Sequence, residues 1–155
     1  MYTSKKLKPS PMSFLNFTTK IIKQAGRFLL KEQKKGFDIF EKAKNDFVTN
    51  LDREVENLII QKIKSDYPTH QFLAEESSFD GNSKLDSKAD YIWIVDPIDG
   101  TKNFTRSLPF YSISVALFKV KKSNGTKNFN YLTGEIISSA VFAPALNELF
   151  QQKEE

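Results

Sequence analysis

Five consecutive apolar residues, Tyr91-Ile92-Trp93-Ile94-Val95, run directly into Asp96-Pro97-Ile98-Asp99-Gly100-Thr101. An unbroken apolar run of this length reads as a strand buried on both faces. Proline cannot donate to a sheet ladder, so the chain is expected to leave the strand at Pro97 and turn. Asp99 follows one bend later, which lets both carboxylates face the same small volume. Gly100 permits a tight backbone, and Thr101 falls in the first turn of a short helix through Asn103 and Phe104. The amides of a helix start form a cradle suited to phosphate. Two crowded carboxylates repel unless they are protonated or bridged by a cation. Oxygen donors with no His or Cys beside them select a hard cation, foremost Mg²⁺. Asp-Pro and Asp-Gly are also ordinary turn dipeptides. Six specified residues after a tryptophan-bearing strand ask for more than a turn.

The segments around this motif set its context. Ser10-Pro11 opens a helix, and Phe14, Phe17, Ile21, Ala25, Phe28 and Leu29 recur at helical spacing up to a stop at Gly36. A second helix starts near Thr49, buries Leu51, Val55, Leu58, Ile59 and Ile63, and stops before Pro68. Between them, residues 37–48 read as extended, ending in a polar bend. The second half changes character, with strands expected at 71–75, 91–95, 110–120, 131–142 and 147–152. Residues 121–128 and 144–147 supply turns. Two helices followed by sequence-adjacent strands define an α+β fold, two helices packed on a mainly antiparallel sheet. His70, the only histidine, follows Pro68-Thr69 in a turn and reads as a surface residue rather than a ligand.

Composition narrows the function classes. The 155 residues suit one domain with a real core. No apolar run reaches the roughly 18 residues of a membrane span, and the N-terminus shows no secretory pattern, so a cytoplasmic protein with no membrane partner is expected. The absence of cysteine excludes disulfides and thiolate-bound metals, which fits a reducing compartment. The net charge is +4, carried by lysines spread along the chain and dense only at Lys5-Lys6-Lys8, Lys31–Lys35 and Lys119–Lys122. No aromatic residues interleave with them as base stacking requires, which argues against direct nucleic-acid contact. The Asn124-Gly125-Thr126 triplet reads as a turn.

With these residues laid out, "WIVDPIDGTKNF" resembles the signature of the inositol monophosphatase family of metal-dependent phosphatases. The blocks Lys44–Glu56, Phe72–Ser77, Leu108–Phe118 and Asn147–Phe150 fall in that family's order and resemble its bacterial members. The resemblance runs from about Ile21 to Phe150. It implies the N-terminal half of a layered αβαβα fold, a single unit over residues 1–155, and Mg²⁺-dependent hydrolysis of inositol 1-phosphate or a similar sugar-alcohol phosphate. It further implies that Glu75, Asp96, Asp99 and the Ile98 carbonyl bind metal. Gly100 and Thr101 would hold the substrate phosphate beside Glu75, Ile98 and Asp99. Asp52 and Thr101 would orient and deprotonate the attacking water. From sequence alone Asp52 also reads as part of a capping box with Thr49, and Glu75-Glu76 as an exposed acidic loop.

The family continues beyond the motifs present here, with a further metal-binding aspartate in a Trp-Asp motif. The sheet is therefore expected to expose an apolar face. The chain is expected to work as a homodimer, to be completed by a separate C-terminal half, or to serve as a catalytically weak, transcription-associated protein-binding module.

Overall fold

The computed structural model describes residues 11–44, 46–79, 89–121 and 133–153. Ser10, the Lys5–Lys8 patch, Lys122 and the turn around Asn124 lie outside the described residues, as do residues 131–132 of one expected strand.

Helix α1 (Pro11–Gln33) places Phe14, Ile21, Ile22, Ala25 and Leu29 on one buried stripe, with Phe17 and Phe28 partly covered at its margins. Each such aliphatic or aromatic side chain contributes about 1.5–3 kcal/mol relative to exposure. The helix ends where Gly36 adopts φ +92° and its N–H reaches the Gln33 carbonyl at 3.2 Å. Gly26 is dictated by packing: a Cβ there would lie 2.5 Å from the Phe142 ring, so only glycine lets α1 approach the sheet this closely.

Residues 37–48, expected to be extended, form an antiparallel hairpin of β1 (Ile39–Ala43) and β2 (Asp46–Thr49), a two-stranded sheet of its own. Helix α2 (Asn50–Asp66) follows at once. Thr49 is its N-cap: Asp52 N–H donates to the Thr49 hydroxyl, and Asp52 Oδ2 accepts the Thr49 N–H at 2.7 Å. The capping box read from the sequence is therefore present.

The main sheet has the order β3-β4-β5-β6-β7, with β3 (Gln71–Ala74), β4 (Tyr91–Asp99), β5 (Ser112–Val120), β6 (Gly134–Ala143) and β7 (Glu148–Lys153). Three of its four pairings are antiparallel; β3 joins β4 in parallel. Short helices α3 (Glu75–Phe79) and α4 (Thr101–Thr105) follow β3 and β4. The core lies between α1, α2 and one sheet face, which presents Trp93, Val95, Ile113, Val115, Leu117, Ala140 and Phe142.

Two expectations require correction. β4 does not end at Asp96: it pairs with β5 as far as Asp99, opposite Ser112. One extra residue is accommodated by a bulge between Asp96 and Asp99, which absorbs the missing Pro97 donor without ending the strand. Nor is the strand buried on both faces, because Ile94 is 38% exposed. Cross-strand partners share a face, so Leu73, Ile94, Ile136, Val141 and Phe150 line one side of the sheet, and all five are exposed. This is the uncovered apolar face that the family resemblance led one to expect.

Candidate active site

The parallel pairing of β3 with β4 sets the geometry. Ala74 stands opposite Val95, so the next residues in each strand, Glu75 and Asp96, arrive together at the carboxyl ends of two neighbouring parallel strands. Their carboxyl groups lie close enough for each to perturb the other's ionisation directly. Two carboxylates cannot share such a contact without a proton or a cation between them. Burial and then Asp96 push Glu75 up to about 7. Burial likewise raises Asp96, with the nearby charge of Asp99 adding to it.

Glu76 takes a different role from its neighbour. Its carboxylate accepts from Lys42 Nζ of β1 in an ion pair whose side chains are 13% and 5% exposed. Burial opposes the charge on Lys42, but Glu76 outweighs it and the lysine's pKa rises. Glu56 of α2 accepts the Glu76 and Ser77 backbone N–H groups at 2.7 and 2.9 Å, tying down the first turn of α3. With Glu76 held by Lys42 and the turn fixed by Glu56, Glu75 is the residue turned toward Asp96. It begins a helix at the end of β3 rather than standing in an acidic loop.

Asp52 is 1% exposed. Its Oδ2 accepts from the Thr49 N–H and hydroxyl, and its Oδ1 lies 3.1 Å from Thr101 Oγ1. Thr101 Oγ1 also lies 2.9 Å from the Ile98 carbonyl oxygen. Burial raises the Asp52 pKa against the lowering effect of its Thr49 and Thr101 hydrogen bonds. The cap and the contact with Thr101 thus coexist on one carboxylate, each oxygen serving one of them.

Gly100 has φ +90°, and a Cβ on it would stand 2.9 Å from the Phe110 carbonyl oxygen. It is the N-cap of α4 and supplies no side-chain hydrogen bond to the first turn. Beside it, Asp99, Gly100, Asn103, Phe110, Tyr111 and Leu146 help to line an open depression of about 320 Å³.

The expected convergence of three carboxylates is met by two. Among the described residues no group of three His, Cys, Asp or Glu side chains gathers tightly enough to hold a metal ion. Asp99 is exposed, displaced from Asp96 by the bulge, and acts on it through charge alone. The donors that do meet nevertheless fit a hard cation. They are all oxygen, and Asp96 Oδ1 is buried without a hydrogen-bond partner among the described residues, an arrangement costly to leave uncompensated.

His70 departs from its sequence reading. It is half-buried, its ring stacks on Tyr67 and Tyr91 at centroid distances of 4.9 and 4.7 Å, and its Nδ1 accepts the Trp93 indole N–H at 3.0 Å. The positions of the aromatic residues near it offered a signal: Tyr67, Tyr91 and Trp93 are all close to it once β3 pairs with β4. Glu56 was also missed, because nothing in its helical spacing distinguishes it from a solvated glutamate.

A helix pair on one face of a five-stranded sheet, with paired acids and a glycine-threonine turn at its carboxyl edge, defines an α+β protein with an acidic sheet edge. The model of the inositol monophosphatase family matches residues 11–155, and the chain belongs to that family. A Vibrio cholerae protein named Nus factor SuhB is 34% identical over 139 residues, covering 88% of this chain and 45% of the relative. A Thermotoga maritima fructose-1,6-bisphosphatase/inositol-1-monophosphatase is 34% identical over 151 residues, covering 92% and 48%. The crystal structure of the SuhB protein of Bartonella henselae superposes with a TM-score of 0.72 at 26% identity, over 91% of this chain and 49% of that one. The chain spans about half the length of the relatives it matches.

Proposed function

We propose that this chain carries the water-activating and phosphate-holding part of a Mg²⁺-dependent phosphomonoesterase acting on inositol 1-phosphate or a similar sugar-alcohol phosphate. The observation that carries the reading is Asp96 Oδ1, buried beside Glu75 at the sheet edge and unpartnered among the described residues. Glu75, Asp96 and the Ile98 carbonyl would hold the metal, with Asp99 adding its charge from the bulge, and the metal would supply charge neutralisation and water activation at neutral pH. Asp96→Asn should therefore abolish Mg²⁺-dependent turnover.

The chain's own groups divide the remaining tasks. Thr101 has one hydroxyl proton and two acceptors within reach. Directed to Asp52 Oδ1, that proton leaves a threonine lone pair facing the site and the Ile98 carbonyl open to a cation. Asp52 then orients the hydroxyl and receives the proton of the attacking water through it, a task helped by its raised pKa. Gly100 and Thr101 offer first-turn amides to the phosphate oxygens, with no side-chain cap competing for them. Glu75, Ile98 and Asp99 complete the substrate's surroundings.

The exposed sheet face supports completion by a further protein layer, either a second copy or a separate C-terminal half. It also supports a second reading, a protein-binding module akin to the relatives named Nus factor. Phosphate release from inositol 1-phosphate by the chain, with and without Mg²⁺, separates these. Mg²⁺-dependent release that Asp96→Asn removes supports the phosphatase; release unaffected by Mg²⁺ or by Asp96→Asn overturns it.

A further inference from the structure

His70 stands immediately before β3, a strand of four residues at the edge of the sheet. Such a strand specifies its register weakly. Its burial alone specifies little: Gln71 is half-buried, Phe72 packs half-buried against the core beneath Lys64, Leu73 is exposed, and Ala74 is buried. A slip of two residues along β4 would preserve the faces yet carry Glu75 away from Asp96 by about 6.6 Å. Something other than the apolar pattern must hold β3 in place.

Trp93 is fully buried and its indole nitrogen can only donate. It gives that proton to His70 Nδ1 across the β3–β4 boundary at 3.0 Å. The bond fixes the imidazole as the tautomer protonated on Nε2. Tyr67 and Tyr91 clamp the ring from the two sides, while Phe14 lies 6.2 Å from its centre. At the other end of β3, Glu56 secures the Glu76 and Ser77 amides. The strand is thus tied at both termini, by polar contacts to β4 and to α2.

We propose that His70 is a positioning residue for the acidic pair: its hydrogen bond from Trp93 pins the register of β3 on β4 and so sets Glu75 against Asp96. The importance of that pair for metal binding rests on the function proposed above; the pin itself does not. Burial holds His70 down at about 4 against the opposing charge of Asp90, with Tyr67 and Tyr91 the titratable groups stacked on it. The ring therefore remains an acceptor at neutral pH.

Trp93 is the only tryptophan, so its fluorescence reports this contact directly. In the wild-type chain the emission should titrate with a midpoint near 4, and His70→Asn and His70→Phe should abolish that titration. Amide exchange in residues 72–74 should quicken about tenfold in His70→Phe, which keeps the stacked ring but has no acceptor, and remain near wild type in His70→Asn, which restores one. Mg²⁺ affinity should follow the same pattern. Should His70→Phe not fold, Trp93→Phe removes the donor instead and should loosen β3 equally. Wild-type exchange in residues 72–74 of whichever acceptor- or donor-less variant folds overturns the pin. Absence of Mg²⁺ binding by the wild type overturns the site reading instead, while the exchange pattern still decides the pin.

Discussion

Thr101 Oγ1 lies 3.1 Å from Asp52 Oδ1, joining the first turn of α4 to the first turn of α2 across 49 residues of sequence. The contact links a buried carboxylate to the hydroxyl of the Gly-Thr turn, so stability and site geometry are coupled there. Thr101→Val keeps the shape and removes the hydroxyl, leaving Asp52 Oδ1 without that donor. We expect a loss of about 1–3 kcal/mol in urea unfolding, largely recovered in Thr101→Ser. Identical midpoints for Thr101→Val and wild type would show that the hydroxyl supports nothing.

Gly100 combines a left-handed backbone with a carbonyl oxygen where a Cβ would sit. Gly100→Ala meets both obstacles, the conformational one alone costing about 1–2 kcal/mol. A lowered thermal midpoint is expected, together with a loss of phosphate binding as the turn shifts away from Phe110. An unchanged midpoint would mean that the turn yields freely.

The Glu75–Asp96 pair gives a pH dependence of definite sign. Glu75 is raised from 4.5 to about 7, so its stabilising effect is full below 4.5 and lost as pH rises through about 7. His70 acts in the opposite direction: it is lowered from 6.5 to about 4, so its contribution is present above 6.5 and lost as pH falls through about 4. In metal-free buffer at pH 8, Glu75→Gln should melt above wild type, and at pH 4 the two should converge. Adding Mg²⁺ at pH 8 should raise the wild-type midpoint by mass action and leave Glu75→Gln nearly unmoved. Equal melting of both proteins at pH 8 without Mg²⁺ would contradict the crowding of the pair.

The uncovered face of the sheet makes a prediction of its own. Ile136 is 54% and Phe150 63% exposed on adjoining strands, on the same side as Ile94 and Val141. The folded chain should bind a hydrophobic dye at neutral pH, and Ile136→Thr with Phe150→Thr should reduce that binding without lowering the thermal midpoint. Dye binding that is absent from the folded wild type would mean that the face is already covered.

Much of the fold could be read because it rests on local signals. The α1 stripe from Phe14 to Leu29, the Thr49–Asp52 capping box and the Pro144–Asn147 turn each follow from spacing or backbone preference, and each is present. The misreadings arose where tertiary pairing overrides a local pattern. Ile94 sits in an unbroken apolar run, yet one face of the sheet is open, so the run does not mean burial on both sides. Pro97 was read as a strand end, but the ladder steps over it with a bulge. His70 was read from its turn alone, whereas its setting depends on Tyr91 and Trp93, more than twenty residues later. Asp52, Thr101, Glu75 and Asp96 were singled out through the family resemblance, and the fold brings them together as two pairs, Asp52 with Thr101 and Glu75 with Asp96. The displacement of Asp99 was not legible, because it depends on how the bulge falls against Ser112 and Ser114.

The central claim is that Asp96, backed by Glu75, gives this chain a divalent-cation site, and calorimetric titration with Mg²⁺ at pH 8 tests it most directly. Saturable binding by the wild type that Asp96→Asn removes, with circular dichroism unchanged, is the predicted result. Equal binding by both proteins, or none by the folded wild type, would contradict it.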